Sequence, residues 1–262
     1  MIELYHFWSS VCSVKVRMCL EEKGAEWQSR YVDLFRFDQL RPEYLAINPD
    51  GVVPTLVHNG HPVHESSIIN EYIDEALPGP KLSPEHPLLR AAMREFVKLC
   101  DDGLPAIALP TMVKYLLPKL RKRWGEDELT KRSEQRPTEF YRGMFRRGIA
   151  GQVSEAELKQ CFERIEGILD RMEAALARHG AWVAGEFSLA DIAVAPYLFR
   201  LSALGAERFW SVTNRPHVAD WYRRILDRES FKKAVSWPDE NGSGYEEVGL
   251  HASLPTDHAV AG

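Results

Sequence analysis

Cysteine is scarce in this chain, and its four cysteines stand far apart. Cys12, Cys19, Cys100 and Cys161 form no C-x-x-C pair and show none of the spacings of zinc sites. A disulfide framework and a structural metal are therefore not indicated, and we expect no metal at the functional site. Unpaired cysteines favour a reducing compartment, so we expect the protein in the cytoplasm.

The sequence also lacks a long apolar run and an excess of positive charge. No segment approaches the roughly 18 uncharged apolar residues of a membrane span, and the first residues, MIELYHFW, alternate like a strand. The 33 Lys and Arg are outnumbered by 38 Asp and Glu, whereas nucleic-acid binding depends on a basic excess. We therefore expect a soluble, untargeted protein whose partners are neither membranes nor nucleic acids.

Positive charge is nevertheless concentrated in one segment. Residues 114–147 contain eleven Lys and Arg against five Asp and Glu. Such a run usually forms a solvated helix face. The alternative is a wall that attracts an anionic substrate or a partner subunit.

Residues 1–78 alternate between strand and helix patterns. They predict strands over 2–8, 27–34, 52–58 and 62–64, and helices over 13–23, 41–47 and 66–77. Asn59-Gly60 suits a two-residue hairpin turn between the last two strands. The order β-α-β-α-β-β-α predicts an α/β domain, with a mixed sheet covered by helices on both faces.

The remainder of the chain is predicted to be all-helical. Residues 79–87 are proline-rich and form a predicted linker, residues 88–236 carry amphipathic helix patterns, and residues 237–262 lose periodicity and read as a tail. Pro105 and Pro110 are expected to break or kink the first of these helices, as is Pro118 further along.

Two S-x-x-[DE] capping boxes mark the start of helices in this second region. Ser154 is followed by Glu157, and Ser188 by Asp191. Asp191 is an isolated acid in an apolar segment and could suggest catalysis. We assign it to structure, because a buried helix start needs acceptors for its free N–H groups.

Several motifs resemble those of one enzyme family. They are F-x-x-x-x-x-S-x-K from Phe7 to Lys15, INPDGVVPTL before the hairpin, the helix start at Glu65, and the box GEFSLAD that ends at Asp191. Over roughly residues 1–235 the chain resembles the glutathione S-transferase superfamily, and within it the bacterial glutathione-dependent β-etherases, which cleave β-aryl ethers in lignin fragments. The resemblance implies a thioredoxin-like first domain, with glutathione as cosubstrate.

The resemblance also implies a set of glutathione-binding residues. Val53-Pro54 is expected to be a cis peptide bond that leaves the Val53 backbone free for the cysteinyl part of glutathione. Glu65 and Ser66 are expected to hold the γ-glutamyl amine and carboxylate, with Ser67 as a further candidate for the carboxylate. From the residues alone, Ser66 could equally be an ordinary helix cap.

Gln39 and Arg41 lie where family members often contact the glycyl carboxylate. The electrophile pocket in the family is built by the first loop, the helix after the linker and the C-terminal segment. Its candidate residues here suggest a cleft for an apolar aromatic substrate: Trp8, Met112, Tyr115, Tyr141 and Phe145.

Three residues are candidates for activating the glutathione thiol. A thiol with a pKa near 8.5 is only about 3% ionised at pH 7, so a donor must stabilise the thiolate. Ser13 matches the serine of the β-etherase pattern, and Ser10 is the alternative if a theta-like pattern applies. Cys12 would instead form a mixed disulfide, as in omega-type members, although Ser13 follows it where proline is usual.

The resemblance implies an enzyme in which glutathione thiolate displaces a phenolate from an aromatic β-aryl ether. A general transferase, a dehalogenase or a disulfide reductase on the same scaffold is the enzymatic alternative. A dimerising binding module is the non-enzymatic one. The habit of the family also predicts a dimer, of identical or related chains.

Overall fold

The computed structural model describes residues 1–236, and the predicted tail lies outside them. Its first domain contains a four-stranded sheet in the order β2-β1-β3-β4. The strands are β1 (Ile2–His6), β2 (Gln28–Tyr31), β3 (Thr55–His58) and β4 (His61–Val63). β2 runs parallel to β1, whereas β3 is antiparallel to both β1 and β4.

Three helices belong to the same domain, and the helical domain follows. The first three are α1 (Val11–Lys23), α2 (Pro42–Leu45) and α3 (Ser66–Ala76). The others are α4 (Pro87–Thr111), α5 (Leu117–Glu134), α6 (Glu139–Ile149), α7 (Glu155–His179), α8 (Leu189–Ala203), α9 (Pro216–Asp227) and α10 (Glu229–Val235). The predicted fold class, a thioredoxin-like α/β domain followed by an all-helical domain, is confirmed.

The hairpin between β3 and β4 forms at the predicted dipeptide. Asn59 and Gly60 have φ values of 51° and 84°, and His58 pairs with His61 across the turn. Two consecutive positive φ angles are what a type I′ turn requires, and asparagine and glycine tolerate them best. This turn places the following segment at the start of α3.

The helix that begins the second domain is longer than predicted. α4 continues through Pro105 and Pro110 to Thr111, where a π-helical turn over Met112–Leu116 joins it to α5. A break at these two prolines was the wrong expectation: α4 packs against both α7 and α8, and this burial outweighs the lost hydrogen bonds. Pro118 lies in the first turn of α5, where its missing N–H has no helical partner in any case.

Both predicted capping boxes are present. The Asp191 carboxylate accepts hydrogen bonds from the Ser188 N–H at 3.0 Å, the Val183 N–H at 3.1 Å and Trp221 Nε1 at 2.8 Å. Burial raises the pKa of Asp191 to about 6, against these hydrogen bonds. Asp191 therefore anchors the start of α8, which is the structural role expected for it.

Two apolar clusters form the core. The larger one joins the sheet and α1 to the helical domain. The smaller one gathers Phe7, Val53, Met112 and Phe145 where the two domains meet. Within residues 1–236, no helix is long and apolar enough to cross a membrane.

Candidate functional site

A cavity of about 170 Å³ lies between the two domains. One wall comes from the thioredoxin-like domain: the loop after β1, the start of α1 and the segment before β3. The other wall comes from α4, the π-helical turn, α5, α6 and α8, and includes Leu104, Ile107, Ala108, Thr111, Met112, Leu116, Leu120, Tyr141, Met144 and Phe145. The second wall is mostly apolar, so the cavity suits an apolar ligand beside polar groups of the first wall.

Buried arginines fix the loop after β1. Arg17 donates to the Phe7 carbonyl at 3.3 Å and to the Trp8 carbonyl at 2.6 Å. Arg200 of α8 donates to the next carbonyl, that of Ser9, at 2.5 Å. Three successive carbonyls are therefore held from beneath, and the loop presents its following residues to the cavity.

Ser10 lines the cavity and Ser13 does not. Ser10 is the N-cap of α1, and its Oγ accepts a hydrogen bond from the Ser13 N–H at 3.2 Å. Ser13 is 0% exposed, and its own Oγ accepts from the Phe7 N–H at 3.3 Å. The structure therefore does not bring Ser13 to the place where a thiol would be activated, because its side chain points back into the loop. The helix-capping preference of serine could have indicated this division of roles.

Cys12 also lines the cavity, in the first turn of α1. Burial raises the pKa of the Cys12 thiol, against the opposing effects of the Lys15 charge and of a hydrogen bond with Ser66. A thiol with a raised pKa stays protonated at neutral pH, and the nucleophilic form of cysteine is the thiolate. Cys12 is therefore available to the cavity mainly as a neutral S–H group.

The Val53–Pro54 bond is cis, as expected. The neighbouring Val52 carbonyl accepts from the Tyr44 hydroxyl at 2.6 Å and from Asn48 Nδ2 at 3.0 Å. No hydrogen bond of this kind engages the Val53 N–H or carbonyl anywhere in residues 1–236. The loop is thus held through Val52, while Val53 keeps a free backbone edge in the cavity wall.

Glu65 and Ser66 form the joint between β4 and α3. Glu65, not Ser66, is the N-cap of α3, with φ 64° and ψ 114° and no side-chain cap hydrogen bond. The interpretation of Ser66 as an ordinary cap is therefore wrong. These angles lie outside the left-handed well and are strained for a residue with a Cβ, and such strain clusters at ligand sites.

Ser67 is engaged away from the cavity. Its Oγ donates to Asp101 Oδ1 at 2.7 Å, and Lys15 Nζ donates to the same oxygen at 3.2 Å. This group ties α3 and α1 to α4. Ser67 is therefore less suited than Ser66 to bind a ligand.

At the other end of the cavity, the two residues predicted for a carboxylate differ sharply. Gln39 is buried in the wall, and neither atom of its amide has a hydrogen-bond partner among the described residues. The Arg41 side chain is 63% exposed and pairs with Asp38 at 2.6 Å. Arg41 lies outside the cavity because the turn over Asp38–Leu40 directs it to solvent.

Arg136 lies in this region instead, and sequence reasoning missed it as a site residue. Its side chain is 9% exposed and lies over the Phe145 ring at 3.9 Å and the Phe37 ring at 5.5 Å. The adjacent Pro137 approaches Gly51, which also lies against the Gln39 carbonyl, so Arg136 and Gln39 belong to one end of the cavity. Burial lowers the pKa of Arg136 to about 10, and the residue remains charged at neutral pH.

The basic segment around Arg136 otherwise behaves as a solvated face. Its other arginines form ion pairs at or near the surface: Arg121 with Glu126, Arg132 with Glu128, Arg142 with Glu139, and Arg146 with Glu134. Exposed pairs of this kind contribute little to stability. Only the wall position of Arg136 fits the alternative of an anion-attracting surface.

Three of the five predicted pocket residues line the cavity: Met112, Tyr141 and Phe145. Trp8 and Tyr115 are buried but are not part of the wall. The Tyr115 ring has Lys119 Nζ 3.8 Å and the Arg200 guanidinium 4.7 Å from its centre. Among the residues described, no three His, Cys, Asp or Glu side chains form a group that could hold a metal ion.

Comparison with known families assigns both domains. Residues 9–76 match the model for the glutathione S-transferase N-terminal domain, and residues 155–224 match that for the C-terminal domain. The chain belongs to the glutathione S-transferase family. It is thus a glutathione-dependent enzyme of that family, and the cavity is its candidate active site.

Individual relatives differ in their chemistry. This glutathione S-transferase is 28% identical to Protein LigF of Sphingobium sp. strain SYK-6, over 88% of its own length and 92% of that protein. The crystal structure of β-etherase LigF superposes with a TM-score of 0.81 at 26% identity, covering 89% of this chain and 98% of that one. A tetrachloro-p-hydroquinone reductive dehalogenase of Sphingobium chlorophenolicum is 27% identical, over 92% and 98% of the two chains.

A related structure contains glutathione. It is a glutathione S-transferase from Methylobacillus flagellatus KT, with a TM-score of 0.66 and 25% identity, which covers 89% of this chain and 98% of that one. Its bound glutathione is in keeping with the cavity seen here.

Proposed function

We propose that this glutathione S-transferase cleaves aromatic β-aryl ethers. The observation that carries the proposal is the cavity itself, in which a polar first wall faces a largely apolar second wall. The similarity to β-etherase LigF over nearly the whole chain supports the choice among transferase reactions.

Glutathione fits the first wall in one direction. Its cysteinyl part pairs with the free backbone edge of Val53, as an added strand would. Its γ-glutamyl carboxylate meets the uncapped N-terminus of α3 at Ser66, and its ammonium group meets Glu65. Both groups reach the cavity through Cys12, which the Ser66 hydroxyl contacts.

The glycyl carboxylate then lies at the opposite end. Gln39 offers a buried amide without a partner, and Arg136 offers a buried guanidinium that forms no ion pair within residues 1–236. Leaving both unpaired is costly, and a carboxylate would satisfy both. We therefore assign this subsite to Gln39 and Arg136 instead of Gln39 and Arg41.

Ser10 is the proposed activating hydroxyl. Its oxygen accepts from the Ser13 N–H, so its own proton is free to donate to a sulfur anion. It also stands at the N-terminus of α1, where the helix dipole favours negative charge. Thiol ionisation releases its proton to solvent.

The chemical step follows from this placement. The glutathione sulfur attacks the carbon that bears the aryl ether, a C–S bond forms, and the C–O bond breaks. The electron pair of that bond leaves with the phenolate oxygen, which takes up a proton from water. Met112, Tyr141 and Phe145 would hold the aryl groups in line, so catalysis relies mainly on orientation.

The test is phenol release. Purified enzyme is incubated with glutathione and each enantiomer of a β-aryl ether that carries an adjacent ketone. We expect equal amounts of phenol and a glutathione thioether from at least one enantiomer. Failure of both, with ready conjugation of a chlorinated nitroaromatic, would replace this proposal with a general transferase.

Cys12 supports a second candidate, in which a thiol in the cavity forms a mixed disulfide with glutathione. Reductive dehalogenation or disulfide reduction would use such a step, and a dehalogenase is among the relatives. The raised pKa of Cys12 argues against it. Cys12→Ser should leave phenol release within about twofold if the ether reaction is correct, and should abolish turnover if the disulfide reaction is correct.

Two further features belong to the proposal. A dimer is supported by Ile68 and Leu88, which expose apolar surface on α3 and α4; light scattering showing only a species near 30 kDa would contradict it. A cytoplasmic location suits a reaction that consumes reduced glutathione.

A further inference from the structure

The charge of the cavity wall is unbalanced. Among the described residues that form the wall there is no Asp, Glu, Lys or His, and the two charged side chains are both arginines, Arg136 and Arg200. Both lie nine-tenths or more within the protein. The cavity therefore carries two positive charges that face its contents.

Arg200 differs from a buried arginine that serves structure alone. Arg17 donates through Nε, Nη1 and Nη2, and its acceptors include the carbonyls of Phe7, Trp8 and Ala234. Arg200 donates only through Nη2, to Ser9; its Nε has no hydrogen-bond partner, and it forms no ion pair within residues 1–236. A buried guanidinium left in this state is costly unless an anion joins it.

The position of Arg200 identifies which part of the cavity is affected. Its Nη2 lies 2.5 Å from the Ser9 carbonyl, directly before Ser10, the proposed activating hydroxyl. Arg136 lies at the other end, beside Gln39. If glutathione binds as proposed above, its carboxylate at that end accounts for Arg136, and its sulfur comes to the end that holds Arg200.

We propose that Arg200 stabilises the negative charge of the reacting centre, first on the glutathione sulfur and then on the departing oxygen. The inference rests on the proposed binding of glutathione and not on the identity of the electrophile. A fixed cation in a site with little water stabilises charge more strongly than in solution and needs no reorganisation during the reaction. Arg200 would thus supplement the single hydroxyl of Ser10.

The groups that face Arg200 leave its charge uncompensated. Burial raises the pKa of Tyr115, so this ring is neutral at physiological pH. The pKa of Lys119 is lowered to about 8, chiefly by burial and further by the Arg200 charge. Because Lys119 adds a second positive charge below that pH, the thiol is best titrated between about pH 5 and pH 8.

The test measures ionisation of the bound thiol. Thiolate absorbance in the ultraviolet is followed against pH in the glutathione complexes of wild type, Arg200→Gln, Arg200→Lys and, as a matched buried arginine, Arg136→Gln. We expect Arg200→Gln to raise the pKa of the bound thiol by about one unit, a roughly tenfold loss of thiolate. Arg200→Lys should recover most of it, and Arg136→Gln should weaken glutathione binding without that shift.

Two results would overturn the inference without touching the proposed reaction. One is an Arg200→Gln complex whose thiol titrates as in wild type; the other is an equal shift in Arg136→Gln. If Arg200→Gln does not fold, the wild-type complex decides: a bound thiol that titrates like free glutathione overturns the inference. Absent phenol release with the Arg200 shift intact would overturn only the ether reaction, whereas a wild type that binds no glutathione would overturn both.

Discussion

The two walls of the cavity are built in different ways. The wall from the thioredoxin-like domain uses backbone groups and short side chains from contiguous motifs, such as Ser10, Cys12 and Val53. The wall from the helical domain uses long side chains from well-separated helices, such as Met112 and Arg200. The first wall suits one constant cosubstrate, while the second can change one residue at a time, which lets relatives of one fold act on ethers and on chlorinated quinols.

The strongest way to break this comparison is to remove the anchor of α8, the helix that carries Arg200. Asp191→Asn leaves buried donors from Val183, Ser188 and Trp221 competing for a single oxygen. We expect the free energy of unfolding to fall by about 3 kcal/mol, measured by urea denaturation. Trp221→Phe removes one donor and should cost less. A loss below about 1 kcal/mol for Asp191→Asn would contradict this role.

The same carboxyl should give stability a distinctive pH dependence. Its pKa is raised from 3.8 to about 6 on folding, so the folded protein binds the proton more tightly. The contribution of Asp191 is therefore most favourable below about pH 4 and declines as pH rises to about 6, by on the order of 2 kcal/mol. Urea unfolding between pH 4 and pH 7 should show this decline in wild type and not in Asp191→Asn.

Within the first wall, the two serines of the loop and helix start should separate. Ser10→Ala should reduce glutathione-dependent turnover by about tenfold or more, because one thiolate donor is lost. Ser13→Ala should mainly lower the free energy of unfolding, by about 1 kcal/mol, and leave the pKa of the bound thiol unchanged. Steady-state rates and thiolate titration distinguish the two; a larger rate effect for Ser13→Ala would restore the motif-based assignment.

The division of work between the walls can be sharpened at the glycyl end. Arg136→Gln should weaken glutathione binding about tenfold, measured by calorimetry, because a charge-assisted hydrogen bond is lost. Arg41→Gln is the matched control, since Arg41 is exposed and outside the wall; its affinity should stay within about twofold. The reverse order would return the carboxylate subsite to the first domain.

The smallest effect concerns Cys12. Because burial raises the pKa of its thiol, alkylation by iodoacetamide at pH 8 should be several-fold slower than for an ordinary cysteine, and faster as pH rises. Mass spectrometry of the modified peptide measures the rate, and added glutathione should reduce it further. Rapid alkylation at pH 7 would favour the mixed-disulfide reaction.

Sequence patterns located the motifs well and the side-chain directions poorly. Asn59-Gly60 and the two capping boxes formed where predicted, because their conformations depend on a few adjacent residues. Ser13 matched a motif, yet its hydroxyl turns toward the Phe7 N–H. The motif fixed the neighbourhood of the active site, and the local hydrogen bonds chose between serines three residues apart.

By itself, the sequence determined the fold class, the domain order and the half of the site that contiguous motifs supply. Period, caps and turns are short-range properties, and they suffice to place the start of α3 beside the loop that contains Val53. Only the tertiary structure decided the other half: that α4 runs on through its prolines, that Arg136 and not Arg41 lies by Gln39, and that Arg200 supports the loop before Ser10. Those outcomes depend on packing between helices far apart in the chain, where burial outweighs the local preferences that a sequence displays.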